Sequence, residues 1–276
     1  MTASARTRTA ILSVMNDVGG PAREPALLVE DLRVEYGRRT AVDGIGFQID
    51  RGEIFGLLGP NGAGKTSTLS AIEGLVTPTS GRVLVDGVDA RRRPLDAKAR
   101  LGVQLQSSSF QPELTIEQIA RLYGGLYGVR LTRDRISDSM RAIGLDQESG
   151  KRFKQLSGGQ QQRLSLYIAT IHDPLLLLLD EPTAGLDPQS RRALWRRIED
   201  LRSAGSSILL TTHSMEEAQA VCDRVAIIDH GALLTLGTPS DLIAKHKDDP
   251  HVVAVAHGPV TLEDVFIGLT GSEIRD

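Results

Sequence analysis

Cysteine is almost missing from this 276-residue sequence. Cys222 stands alone, so no internal disulfide can form. That scarcity fits a reducing compartment. Cys222 precedes Asp223-Arg224 and an apolar run, and it reads as a small buried residue rather than a reactive thiol. Long apolar runs are missing as well. None exceeds the five residues of Leu175–Leu179, whereas a spanning helix needs about 20. A membrane-crossing helix is therefore not expected. Neither sign of charge is in excess: 32 Lys and Arg face 35 Asp and Glu, for a net charge of -3 and a pI near 6.1. Nothing in that balance suggests sequence-wide binding to nucleic acid. Residues 1–25 lack the apolar core and small-residue cleavage site of a secretory leader. Closed by Gly19-Gly20-Pro21 and Pro25, they read as a disordered N-terminal arm.

What is present centres on Gly59-Pro60-Asn61-Gly62-Ala63-Gly64-Lys65-Thr66, a G-x-x-x-x-G-K-[ST] phosphate-binding loop. Ile54–Leu58 before it is a short apolar strand, and Thr66–Glu73 after it reads as a helix. A strand, a glycine-rich turn and a helix aim consecutive backbone N–H groups and a positive dipole end at one point. Lys65 can reach β- and γ-phosphates, and the Thr66 hydroxyl can ligate Mg²⁺.

Ahead of this loop, Ala26–Tyr36 and Thr40–Ile49 alternate apolar and polar residues, the pattern of two half-buried strands. Tyr36 at the hairpin end could stack on an adenine base or pack on the rim. Beyond the loop, Arg82–Val85 and the turn Asp86-Gly87 predict another hairpin. Arg91-Arg92-Arg93-Pro94 reads as a solvated turn. Leu101–Gln106 reads as a strand ending in glutamine. Thr115–Tyr127 and Arg133–Ile143 read as amphipathic helices, with Thr115 and Gln118 forming a cap and Gly144 a stop. This helical stretch, about residues 107–165, is expected to be inserted in an α/β core. Phe110 and Leu114 are apolar residues in a polar stretch. They either contact a partner or pack on the neighbouring helices.

Leu156-Ser157-Gly158-Gly159-Gln160 opens a long helix whose first N–H groups form a second anion site, or an ordinary cap. Leu175–Leu179 then runs into Asp180-Glu181. Continuous leucines predict a buried parallel strand, with its carboxylates at the C-terminal end where open α/β sheets place ligands. If the strand continues, Asp180 and Glu181 point opposite ways, one free to serve a metal and the other a water. Asp187-Pro188 starts the next helix. Ser207–Thr211 is another strand, followed at once by His213. Arg224–Asp229 and Ala232–Leu236 form a closing hairpin. His172, in a connecting turn, reads as structural.

Taken in order, the P-loop, the strand-end glutamine, LSGGQ, the Asp-Glu pair, Asp187 and His213 resemble the ATP-binding cassette (ABC) transporter ATPases over about Leu27–Lys245. The resemblance implies an α/β fold: a P-loop NTPase (RecA-like) core, an antiparallel β-subdomain and an inserted α-helical subdomain. The core would span residues 26–245 and a short extension residues 246–276. It implies ATP and Mg²⁺ as cofactors. Tyr36 would stack on adenine. Gly59, Pro60, Asn61, Gly62, Ala63, Gly64, Lys65, Thr66 and Ser67 would hold the phosphates. Thr66, Gln106 and Asp180 would serve Mg²⁺, with Gln104 the alternative to Gln106. Glu181 would be the general base and His213 would contact the γ-phosphate. Leu156, Ser157, Gly158, Gly159, Gln160 and Asp187 would act across a head-to-tail, ATP-bridged homodimer.

His257–Phe266 and Leu269-Thr270-Gly271 resemble the ending of multidrug and antibiotic exporter ATPases that pair with separate ABC-2-type permeases. Such a subunit would sit peripherally on the cytoplasmic face of the membrane. Here only about Lys247–Ala256 separates core from ending, a shortening that puts a regulatory tail in question. A soluble ABC ATPase acting on ribosomes or DNA, and a nucleotide-binding regulator without hydrolysis, stay open as other classes.

Overall fold

The computed structural model describes residues 24–104 and 110–271. Gln106 and nearly all of the N-terminal arm lie outside those residues, so the expectations placed on them do too.

The alternating segments fold as expected. Strands β1 (Leu27–Tyr36) and β2 (Arg39–Ile49) form an antiparallel hairpin. On the other side of β1 lies β4 (Ser80–Val85), which turns through Asp86-Gly87 into β5 (Val88–Asp89). The sheet order is β2-β1-β4-β5.

The second sheet holds β3 (Ile54–Leu58), β6 (Leu101–Gln104), β7 (Leu176–Asp180), β8 (Ser207–Thr212), β9 (Arg224–Asp229) and β10 (Ala232–Gly237). Its order is β10-β9-β3-β8-β7-β6. All neighbours are parallel except β9 and β10. The leucine run works because this sheet is covered on both faces. Leu176 and Leu178 enter the cluster with Phe55, Leu57 and the antiparallel sheet. Leu177 and Leu179 enter the opposite cluster with Ile54, Leu58 and helices. Each such leucine contributes about 1.5–3 kcal/mol by leaving water.

Helix α1 (Lys65–Ile72) follows β3, and the short α2 (Pro94–Lys98) precedes β6. Helices α3 (Ile116–Leu126), α4 (Arg133–Ala142) and α5 (Gly158–Ala169) build a layer with its own core, including Ile116, Met140, Phe153 and Leu164. The sequence-level capping signals hold. Thr115 with Gln118 and Ser157 with Gln160 both close reciprocal capping boxes. Phe110 and Leu114 pack into this layer. Phe110 meets Tyr123 and Phe153 edge-on at 5.2 and 5.3 Å, because a ring beside two others gains more by burial than by standing in water. The exposed apolar side chains of this layer are instead Leu122, Leu126 and Tyr127.

Helices α6 (Pro188–Ser203) and α7 (Met215–Val221) cover the far face of the parallel sheet. Three short helices end the described chain: α8 (Pro239–His246), α9 (Pro250–Val255) and α10 (Leu262–Thr270). The tail is part of the core. Leu262, Val265 and Phe266 are buried with Met215 and Ala218 of α7.

Candidate functional site

Four adjacent parallel strands, β3, β8, β7 and β6, end along one edge of the sheet. The P-loop leaves β3, Asp180 ends β7 and Glu181 follows it, and His213 follows β8 directly. The topology therefore gathers residues that are far apart in sequence at the place where open α/β sheets bind ligands.

The P-loop is tightly seated. A Cβ at Gly59 would run into the Ile228 carbonyl, and one at Gly64 into the Ala41 carbonyl. Gly64 also adopts φ 108°, open only to glycine at low cost. The turn after β9 braces the loop: Gly231 N–H donates to the Ala63 carbonyl at 2.9 Å. Lys65 folds into the loop and donates to the carbonyls of Gly59 at 2.6 Å and Pro60 at 3.2 Å. Burial pushes its pKa below the usual lysine range, while Glu181 and Asp180 pull it back up. A buried ammonium on neutral carbonyls is short of negative charge, which phosphate oxygens would supply. Thr66 is exposed and Ser67 half-buried at the start of α1.

Asp180 accepts a hydrogen bond from the Thr211 hydroxyl at 2.5 Å. Thr211 in turn receives the Glu181 N–H, on its hydroxyl at 3.0 Å and its carbonyl at 3.2 Å. The strand does not continue through Glu181. That residue takes φ 46°, left-handed for a residue with a side chain. The two carboxylates therefore separate by a turn, not by strand alternation. Glu181 Oε1 lies 3.6 Å from His213 Nδ1, and His213 is half exposed. Together they line a cavity of about 160 Å³ with Thr183, Gly185, Arg191 and Glu217.

Gln104 ends β6 opposite Leu179, 1% exposed, and among the described residues neither amide atom has a hydrogen-bond partner. Its competitor Gln106 lies outside the described residues.

The LSGGQ segment is positioned as a helix start. Ser157 caps α5, and Ser157 and Gly158 are exposed. Gly159 is confined, since a Cβ there would come within 2.9 Å of the Ser190 hydroxyl on α6. Gln160 spends its amide on Glu148 at 3.0 Å. Asp187 caps α6 through Gln189 and Ser190, and the Ser190 hydroxyl holds its carboxyl below the usual range. Among the described residues no hydrogen bond joins Leu156–Gln160 to the P-loop; both segments bond within their own layers.

Tyr36 is half exposed at the end of β1, directly across from Arg39. The Arg39 guanidinium comes within 3.8 Å of where a Gly62 Cβ would stand. Sequence reading missed Arg39, Thr211 and Glu217. Only the cross-strand spacing of Tyr36 and Arg39 around Gly37 carried a signal. His172 is structural, stacking on Tyr127 at 3.8 Å and bonding the Leu101 carbonyl through Nε2 at 2.9 Å.

Comparison with known proteins gives one answer. A family model described as ABC transporter matches residues 42–184. The chain is 34% identical to the Nod factor export ATP-binding protein I of Ralstonia nicotianae, over 93% of this chain and 97% of that one. It is 36% identical to the linearmycin resistance ATP-binding protein of Bacillus subtilis, over 84% and 75% of the two chains. A solved ATP-binding subunit of an ABC transporter superposes with a TM-score of 0.77 at 28% identity, covering 88% of this chain and 99% of that one.

Proposed function

The chain belongs to the ABC transporter family of ATP-binding, ATP-hydrolysing proteins, and from that premise we propose that it drives an exporter whose permease is a separate chain of the ABC-2 type. The substrate class is drug- or antibiotic-like. The names of relatives that export Nod factor or confer linearmycin resistance support this reading. So does the lack, among the described residues, of a helix long and apolar enough to cross a membrane. The carrying observation is Lys65, buried in a loop of carbonyls and facing the Asp180-Glu181 end of β7.

In the proposed cycle the P-loop N–H groups and Lys65 hold the β- and γ-phosphates of ATP. Tyr36 stacks on the adenine. Thr66 and Asp180 would hold Mg²⁺, which when bound neutralises phosphate charge. Their oxygens suit a hard cation that keeps several waters. Glu181, oriented by its turn and facing His213, accepts a proton from the attacking water. His213 donates to the γ-phosphate, and Gln106 senses it. The exposed Ser157-Gly158 end of α5, with Asp187 of the same copy beside it, meets the γ-phosphate held by a second copy, in a head-to-tail dimer with two equal sites. Hydrolysis removes the γ-phosphate contacts and opens the pair.

The outer face of α3 offers a coupling surface, with Leu122 46% and Leu126 72% exposed. Isolated from other apolar residues such side chains are ordinary, but as a patch with Tyr127 they fit a partner. Fractionation of cells with and without a co-expressed permease tests the reading. The chain should pellet with membranes only when the permease is present, and Leu122→Asp with Leu126→Asp should release it. Permease-independent recovery with ribosomes or DNA would reverse the assignment. Lys65→Ala should abolish ATP turnover in the folded protein, and a normal rate would remove the P-loop from the site.

A further inference from the structure

Glu181, Pro182 and Thr183 leave β7 in a turn closed by Ala184 N–H on the Glu181 carbonyl at 3.1 Å. A left-handed glutamate costs about 1–3 kcal/mol and persists only where its surroundings hold it. Each of the three residues is held by a different element. Thr211 of β8 takes the Glu181 N–H. Gln162 of α5 donates to the Pro182 carbonyl at 2.6 Å. Thr183 donates its hydroxyl to Glu217 Oε2 of α7 at 2.7 Å, a buried bond.

Glu217 has a second tie. Its other oxygen, Oε1, lies 3.1 Å from Arg191 Nε, one turn into the helix that Asp187 caps. Its backbone N–H donates at 3.2 Å to Ser214, the residue after His213. The residue is 8% exposed and lines the cavity shared by Glu181 and His213. A buried carboxylate whose two oxygens serve different segments fixes the distance between them, because releasing either leaves charge unpaired.

We propose that Glu217 is a positioning residue for ATP hydrolysis: it clamps the Glu181–Thr183 turn to Arg191 on one side and to the His213 loop on the other. This rests on the ATPase reading above. Glu217 touches no substrate. Its effect is on where the Glu181 carboxylate stands relative to the attacked phosphate, and an error of about 1 Å there costs on the order of 100-fold in rate.

The test measures kcat, KM for ATP, ATP affinity and melting temperature of the full chain with Mg²⁺. Glu217→Ala and Thr183→Val should each lower kcat by on the order of 10- to 100-fold and leave KM near its wild-type value, the mark of an interaction lost only in the transition state. Thr183→Ser, which keeps the hydroxyl, should restore most of the rate. The double variant should be no slower than the worse single one, since both break one contact. Glu217→Gln keeps the Thr183 bond and loses the Arg191 charge, so it should fall between. A wild-type kcat in folded Glu217→Ala or Thr183→Val would overturn the clamp. So would a fall in kcat matched by an equal rise in KM, or no rescue by Thr183→Ser. If Glu217→Ala does not fold, Thr183→Val and Glu217→Gln carry the test. Glu181→Gln separates the two readings. If wild type turns over ATP, Glu181→Gln does not and Glu217→Ala does normally, only the clamp is wrong. If wild type has no turnover at all, both readings fall.

Discussion

The Thr211 hydroxyl donates a hydrogen bond to the Asp180 carboxylate at 2.5 Å and accepts one from the Glu181 N–H at 3.0 Å. One side chain on β8 thereby holds the Asp180 carboxylate and the backbone of Glu181 at the end of β7. Valine in its place keeps the shape and loses the hydroxyl. Thr211→Val should cost about 1–3 kcal/mol of stability, the range for leaving a buried polar group short of a partner. It should also raise the Mg²⁺ concentration needed for half-maximal ATP turnover, because Asp180 loses its orienting bond. Urea unfolding and a Mg²⁺ titration of the ATPase check the two effects. Lost stability with an unchanged Mg²⁺ response would assign Thr211 to folding alone.

Tyr36 and Arg39 face each other across the first hairpin, beside the P-loop. Tyr36→Ala should weaken ATP binding by about 1–2 kcal/mol, the range for one lost base–aromatic stack. Arg39→Ala should weaken binding of nucleotide triphosphates irrespective of base, and more at low salt than at high, because a screened charge is lost. Titrations of ATP and GTP at two ionic strengths resolve the two roles. A base preference altered by Arg39→Ala but not by Tyr36→Ala would exchange them.

The local parts of this site were legible in the sequence because each is written in a few adjacent residues. The P-loop, the capping boxes at Thr115 and Ser157, and the leucine strand need only short-range spacing. The Thr183–Glu217 bond was not legible, since its partners stand 34 residues apart and only strand order brings them together. The turn at Glu181 was not legible for a related reason: a run of leucines predicts a strand but not the residue at which it ends. The packing of the tail is not legible in the sequence because Leu262, Val265 and Phe266 form a short helical stripe whose burial depends on α7. Phe110 illustrates the converse. A lone ring in a polar stretch suggests exposure, and two distant rings bury it.

Glu73, at the end of α1, is buried, and burial, assisted by Asp180, pushes its pKa from 4.5 to about 7. The folded chain therefore keeps a proton between those pH values that the unfolded chain has lost. The stability this contributes is complete below the unfolded value of 4.5 and declines as pH rises through about 7, by at most about 3 kcal/mol. Glu73→Gln cannot titrate and should remove that decline. Denaturation of both proteins at pH 5 and pH 8 measures it. Parallel pH profiles would show that the carboxyl titrates at its ordinary value.

Glu181→Gln should bind ATP, turn it over very slowly and accumulate as an ATP-bound dimer. The substitution keeps size and shape and removes the base and its charge. Loss of general-base help costs about 10²–10⁴-fold. Removing one negative charge beside two triphosphates also favours the closed pair. The motive is geometric: Glu181 faces His213 at 3.6 Å, while Ser157 and Gly158 stand exposed on the helical layer. Turnover and solution mass must therefore be measured together, with ATP and Mg²⁺ present. Wild-type turnover in Glu181→Gln would remove Glu181 from the role of base. Slow turnover with a monomer at saturating ATP, in the presence of the permease as well as without it, would show that the LSGGQ segment does not act in trans. Dimers that form only with the permease would leave the trans site standing and place its stability in the membrane partner, consistent with a coupling surface on α3.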